Sequence, residues 1–370
     1  MMDSHYYTAM SAESKHLVVV ISGHGYGHAA MTAPLIQALQ KKCSNLKISV
    51  RADLPEEFLR SVMPFNFEHI KESTDFGMVM LDAFKIDTKK SLARYQSFHQ
   101  HWLDNINAEI DRLSQLQADY LISNIAYLPL AAARQMGIPA IAYGCLNWAE
   151  IFQHYFSQHS QIYRQILNAY ASADCIIRTQ PAMPMTGLVT ETVGPIATSG
   201  INRRQFLLHK LALAENTQLV LVSMGGIKTE LNIRRWPVID NVHYLIDDSA
   251  PDDRNDISSL SNVDINFIDA LCSVDLFLTK PGYGSFSQAA CNSTAVLYVE
   301  RPDWPEHSYL CDWLKNQIPC ASITQQQFCD GQFNRQLITL LKQGTSPATP
   351  PTGLDHAINI LLKTFNLEEN

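Results

Sequence analysis

The strongest constraint in this sequence is a pattern that recurs along it: an unbroken aliphatic run, a glycine-rich turn, then a helical stretch. Leu17–Ser22 (LVVVIS) runs into Gly23-His24-Gly25-Tyr26-Gly27-His28 and a helical pattern from Ala29 to Lys42. Gln218–Met224 (QLVLVSM) runs into Gly225 and Gly226, and Asp275–Thr279 into Lys280-Pro281-Gly282-Tyr283-Gly284-Ser285. Strands that are apolar throughout, rather than at alternate positions, are buried on both faces, as in parallel sheets covered by helices. A chain built this way folds as α/β.

The rhythm between these points is consistent. Leu46–Val50, Asn66–Ile70, Tyr120–Ser123, Ile138–Tyr143 and Asp174–Arg178 read as strands, with helices over Leu128–Met136 and Gln161–Ala171. Leu92, Tyr95, Phe98, Trp102, Ile106, Ile110 and Leu113 stand at helical spacing between Lys89 and Leu116, an amphipathic helix or helix pair. Thr198–Thr217 is a short helical connection, after which Gln218–Met224, Val242–Ile246, Asp275–Thr279 and Ala295–Val299 continue as strands. The sequence therefore predicts two Rossmann-like, doubly wound domains facing a cleft, over residues 1–198 and 199–370. A final helix, Leu354–Phe365, follows the proline-rich break Pro347–Pro351 and is placed to pack back on the N-terminal domain.

Composition narrows the classes. Hydrophobic residues make up 46% of the 370 residues and charged ones 17%, ample apolar surface for two cores. The net charge of −8 argues against nucleic acid as a partner, since phosphate-backbone binders carry a basic balance or stripe. No apolar run reaches the ~18 residues of a membrane span, and the polar, acidic stretch Met1–His16 lacks the pattern of a signal peptide. The eight cysteines form no CxxC pair and read as buried thiols. A cytoplasmic protein is expected.

Three loops could carry chemistry. In Gly23–His28 the glycines allow close approach to backbone, and the following helix start offers free N–H groups and partial positive charge. A dinucleotide reading needs GxGxxG with an acid about 20 residues on; Gly23, Gly25 and Asp53 fit, but His28 stands where the third glycine would be. His28 at the top of a parallel sheet has the pKa range of a general base. His24 and His28 could also ligate a metal, but no local carboxylate or cysteine joins them, so no metal is expected. In Lys280–Gln288, glycines, a helix start, Lys280 and the hydroxyls of Ser285 and Ser287 could cradle a phosphate, although GxxxxGK[ST] is absent. In Glu300–His307, acids beside Trp304 offer what sugar hydroxyls and CH faces require. Each of the three also reads plainly as a βα turn or a solvated loop.

Taken together, SGHGYGHA, KPGYGSFSQAA and SNIAYLPLAAARQMGIPAIAYGCLNW resemble the motifs of the GT-B glycosyltransferases. That group includes the peptidoglycan N-acetylglucosaminyltransferase. The resemblance is closer to the glycosyltransferase-like domain that precedes the sugar kinase in plant L-arabinokinases, and it runs from about Leu17 to about Leu314. It implies a nucleotide-sugar donor on the C-terminal side and an acceptor hydroxyl on the N-terminal side, with no metal and no cofactor. His28 matches the catalytic histidine. Gly225 and Gly226 match the glycine turn, and Lys280, Gly282, Tyr283, Gly284, Ser285 and Ser287 the diphosphate cradle. Asp303, Glu306 and His307 match the region near the donor sugar, and Gly23, His24, Gly25 and Gly27 the acceptor-side loop. Two positions depart from the pattern: Gln288 replaces the acid that binds the nucleotide ribose, and Asn124 the aspartate that orients the histidine.

Metal-independent transfer of a sugar from a nucleotide-diphosphate sugar is thus the expected activity, with His28 and Asn124 at its centre. A non-catalytic nucleotide-sugar or glycan-binding module, and a nucleotide-sugar hydrolase or epimerase, are the alternatives that the two departures leave open.

Overall fold

The computed structural model describes residues 14–24, 26–81, 85–225 and 232–368. Gly25, Gly226 and the first thirteen residues of the polar leader lie outside the described residues.

In the N-terminal half, β1 (His16–Ile21) leads into α1 (Gly27–Lys42), and then come β2 (Lys47–Arg51), α2 (Glu56–Val62) and β3 (Glu68–Ile70). A helix pair follows, α3 (Thr88–Gln100) and α4 (Trp102–Gln115), and then β4 (Tyr120–Asn124), α5 (Leu128–Met136) and β5 (Ala140–Gly144). This half closes with α6 (Trp148–Tyr155), α7 (Ser160–Ala171), β6 (Cys175–Thr179) and β7 (Glu191–Val193). Every residue of β1 is buried, as expected of a strand covered on both faces.

The C-terminal half runs α8 (Arg204–Lys210), β8 (Gln218–Val222), β9 (Val242–Ile246), β10 (Ile257–Ser259) and α9 (Phe267–Ser273). It continues with β11 (Leu276–Thr279), α10 (Tyr283–Cys291), β12 (Ala295–Val299), α11 (His307–Lys315) and β13 (Cys320–Ile323). Its last helices are α12 (Gln325–Cys329), α13 (Asn334–Gln343) and α14 (Gly353–Phe365).

Two parallel sheets result, ordered β3-β2-β1-β4-β5-β6-β7 and β10-β9-β8-β11-β12-β13. In each, the strand order reverses at one place, between β1 and β4 in the first and between β8 and β11 in the second. Chain connections leave such a point in opposite directions, so a crevice opens beyond the strands' carboxyl ends and is the ordinary ligand site of an open α/β sheet. The registers bring the end of β1 beside the end of β4 (Ile21 opposite Asn124) and the end of β8 beside β11 (Val222 opposite Leu278).

The halves are interlocked. Helices α1 and α10, which carry the two glycine loops at their starts, pack on each other. Tyr283 and Trp304 of the C-terminal half lie within the hydrophobic core of the N-terminal half. Helix α14 returns to pack on α1, β6 and β7, placing Ala357, Ile358, Leu361, Leu362 and Phe365 in that same core. Among the described residues, no helix is long and apolar enough to cross a membrane.

Candidate active site

His28 lies in the first turn of α1, at the end of β1, and is 8% exposed. Its Nδ1 is 2.8 Å from Oδ1 of Asn124, at the end of β4. The surrounding hydrogen bonds fix which nitrogen carries the proton. The Thr32 hydroxyl donates to the His28 carbonyl at 2.8 Å, so its oxygen is left to accept from Asn124 Nδ2, also at 2.8 Å. The amide is therefore oriented with Oδ1 toward the imidazole, and Oδ1 only accepts. Nδ1 must donate, which leaves the lone pair on Nε2. Burial lowers the His28 pKa below its ordinary value, against the raising effect of Asn124, so the ring is neutral at pH 7 and its Nε2 is basic.

His24 precedes α1, which begins at Gly27, so His24 and His28 do not stand one turn apart on a helix. The His24 ring stacks on Trp304 (centroids 5.8 Å apart, planes at 9°) and meets Trp148 edge-on at 5.3 Å. Burial, then the charges of His28, Arg301 and Lys280, bring its pKa down to about 3. Gly23 is open on the opposite side, where an added Cβ would come no nearer than 3.9 Å to Asp53 and Ser73; at Gly27 an added Cβ would meet nothing.

On the facing half, Gly225 has φ +74°, and an added Cβ there would sit 3.7 Å from Lys280 Cε, so the turn after β8 and the loop after β11 touch. Burial and the nearby Arg301 lower the Lys280 pKa to about 8. The Arg301 guanidinium lies 4.5 Å over the Trp304 ring. Gly282 caps α10, and neither it nor Gly284 has anything within 4 Å of an added Cβ, so the helix start is open. The Ser285 hydroxyl is 3.4 Å from that of Thr279. His24, His28, Gly225, Lys280, Arg301 and the α10 start thus converge on one interdomain cleft. It combines two cations and a helix N-terminus on one wall with a neutral, oriented imidazole on the other.

Several residues expected to face a ligand are used differently. The Tyr283 hydroxyl is committed to the domain junction: it pairs with Thr179 at 2.8 Å and accepts from the Ile196 N–H at 3.0 Å. Ser287 is fully buried and donates to the Tyr283 carbonyl at 2.7 Å, within its own helix. Gln288 accepts from the Thr198 N–H at 3.0 Å on the interdomain connection. Glu306 is turned inward, accepting from Cys145 at 3.1 Å and Trp304 Nε1 at 3.3 Å. The expectation that Tyr283, Ser287, Gln288 and Glu306 offer these polar atoms to a donor is corrected accordingly; the packing of the two halves claims Tyr283, Gln288 and Glu306, and its own helix claims Ser287. Asp303 is exposed and its carbonyl accepts from Tyr155, while half-buried His307 has Nδ1 3.6 Å from the Cys311 sulfur.

One carboxylate in this region was not singled out from the sequence. Asp75 accepts from Ser22 at 2.9 Å and from Trp148 Nε1 at 2.7 Å, and burial raises its pKa to about 6 despite those bonds. It stands in the irregular stretch after β3, where no periodicity marks it.

No protein-family profile matches the chain. The L-arabinokinase of Arabidopsis thaliana is 24% identical over 346 residues, which cover 89% of this chain and 32% of that one. The chain therefore spans about a third of that curated relative's length. Among solved structures, Arabidopsis thaliana UGT89C1 complexed with quercetin superimposes with a TM-score of 0.60 at 12% identity, covering 96% of this chain and all of that one. The spinosyn rhamnosyltransferase SpnG complexed with thymidine diphosphate gives 0.56 at 15% identity, over 95% and 96% of the two chains. Acinetobacter baumannii MurG gives 0.55 at 15%, over 94% and 99%.

The chain has the GT-B fold. The expected two-domain α/β architecture is therefore the observed one.

Proposed function

We propose that this protein is a glycosyltransferase that moves a sugar from a nucleotide-diphosphate donor to an acceptor hydroxyl without a metal. The observation that carries the reading is the pairing, across one cleft, of the Lys280 and α10 wall with the His28–Asn124 wall. A half-buried lysine with a depressed pKa, beside a second cation and an open helix start, is a site built for an anion. The donor's diphosphate lies there, and the acceptor comes from the N-terminal side. His28 Nε2 removes the proton of the acceptor hydroxyl, and the oxygen attacks the anomeric carbon as the bond to the diphosphate breaks. The released negative charge is taken up by Lys280 and the α10 N–H groups. The likeness to a rhamnosyltransferase solved with thymidine diphosphate supports a nucleotide in this place.

A thermal-shift series with UDP, dTDP, GDP and ADP, followed by transfer assays with the sugar forms of whichever stabilises, tests the reading. His28→Ala is expected to keep the nucleotide's stabilisation and lose ~10²–10⁴-fold in transfer, the usual worth of a general base. Equal transfer by the variant removes His28 from the mechanism. The neutral partner Asn124 favours one second reading, a nucleotide-sugar-binding module; donor binding with no consumption in any assay would select it.

A further inference from the structure

The chemistry of the acceptor can be read from the N-terminal half, given the transferase reading above. A cavity of about 370 Å³ opens beside Gly23 and is walled by His24, Asp53, Ser73, Asp75 and Phe76. A second, of about 580 Å³, reaches toward α3 and α4 and shares Ser73, Asp75, Phe76 and Arg94 with the first. The two form one groove, leading from the imidazole side of the cleft to the helix pair.

Its polar groups are preorganised. Both Asp75 oxygens are held, by Ser22 and by Trp148, which fixes the carboxylate plane. The Gly23 N–H also acts on this carboxylate, which leaves about one of its four lone-pair sites to offer. Asp53 is exposed and lines the first cavity. Thr74 lines the second cavity and is 8% exposed, and among the described residues its hydroxyl has no hydrogen-bond partner. A buried hydroxyl without a partner costs free energy unless something fills the place. Arg94 lies with its guanidinium 4.5 Å over the Phe76 ring, closing the groove with a flat apolar and cationic shelf.

We propose that this groove takes a small, hydroxyl-rich acceptor of the sugar or polyol class, held by hydrogen bonds to Asp53, Asp75 and Thr74. Two carboxylates and a buried hydroxyl accept and donate to vicinal hydroxyls, while Phe76 and the methionines Met78 and Met80 meet CH faces. An alkyl chain in the same place would strip water from those groups and return no hydrogen bonds.

Saturation-transfer NMR on the full chain tests this with methyl α-D-glucopyranoside, maltose and myo-inositol as hydroxylated probes, and quercetin and dodecyl phosphate as contrasts. At least one hydroxylated probe is expected to bind, and its affinity to fall roughly tenfold or more in Asp53→Asn and in Thr74→Val, the loss expected from one such hydrogen bond. Asp53 is exposed, so that variant keeps the fold even where Asp75→Asn does not. Silence from all three hydroxylated probes, preference for quercetin or dodecyl phosphate, or unchanged binding in both variants overturns the proposal. The nucleotide thermal shift is read in parallel on the same samples. Its absence in wild-type protein defeats the transferase reading, whereas its presence alongside any of those three outcomes defeats only the acceptor class.

Discussion

Replacing Asn124 by aspartate is the most informative single change, because it places a carboxylate 2.8 Å from His28 Nδ1 without altering side-chain volume. An opposite charge at that distance raises a histidine pKa by ~1–3 units, and each unit is worth ~1.4 kcal/mol of preference for the imidazolium. The site is buried, so solvent screens little of this. The cost is local: Asn124 Nδ2 now donates to Thr32, and a carboxylate cannot. Thr32 must turn its hydroxyl away from the His28 carbonyl to donate to the new oxygen; that carbonyl keeps its helical N–H partner, so the loss is one hydrogen bond, ~0.5–1.5 kcal/mol. NMR titration of the His28 Cε1–H signal against pH reads the pKa directly. Wild-type His28 is expected to titrate below the ordinary value, and Asn124→Asp to titrate ~1–3 units above wild type, with the acidic limb of any transfer activity moving the same way. An unmoved pKa would mean that the Nδ1–Oδ1 contact does not set the protonation of this ring. The tautomer argument, and with it the assignment of Nε2 as the base, would then fall.

Three other outcomes are expected. Nucleotide diphosphate binding near pH 8 should take up a fraction of a proton, because the anion returns Lys280 from about 8 toward its ordinary value; calorimetry in buffers of different ionisation enthalpy shows this, and Lys280→Met should abolish it. Asp75, raised to about 6, binds its proton more tightly in the folded state than in the unfolded one, so it favours folding below about pH 4 and costs up to ~3 kcal/mol above pH 6. His24, lowered to about 3, works the other way over an overlapping range, so the Asp75 contribution is read as the wild-type minus Asp75→Asn difference in urea midpoints, which should change between pH 4 and 6. Tyr283→Phe strands the Ile196 N–H at the domain junction and should cost ~1–3 kcal/mol of stability while leaving nucleotide affinity within twofold, measured by denaturation and thermal shift respectively.

The sheet-forming strands were legible because burial on both faces demands unbroken aliphatic runs, and β1, β8 and β11 have them. The short strands β7, β10 and β13 were not: Glu191-Thr192-Val193 has no run to read, and pairing with β6 defines it. The stretch from Lys89 to Leu116 takes the second of its two expected forms, a helix pair meeting at His101, a point the continuous periodicity does not mark. In the site, His28 and Asn124 could be named from their motifs, His28 opening the helix after the glycine loop and Asn124 closing β4. Tyr283, Ser287, Gln288 and Glu306 look like ligand groups in a linear sequence, yet their partners lie in the other half or in their own helix. Hydrophobic periodicity reports which face of an element is buried and is silent about which polar atoms a domain interface consumes. Asp75 was missed for a related reason: it sits in irregular chain, and only Ser22 and Trp148, 53 and 73 residues away, make it special.

The return of α14 to the first half has a consequence for how the protein is made. A ribosome releases β1 to β7 long before Ala357, Ile358, Leu361, Leu362 and Phe365 emerge, and those side chains belong to the core of the first half. Tyr283 and Trp304, also part of that core, arrive late as well. Folding one domain at a time, first-made first, is the usual course of a two-domain chain. Here the first-made half must wait, with α1 and the β6–β7 edge uncovered, until α14 has been made. Its maturation waits on α14, and a chain stopped at the domain boundary would carry the loop before α1 on a core that has not closed.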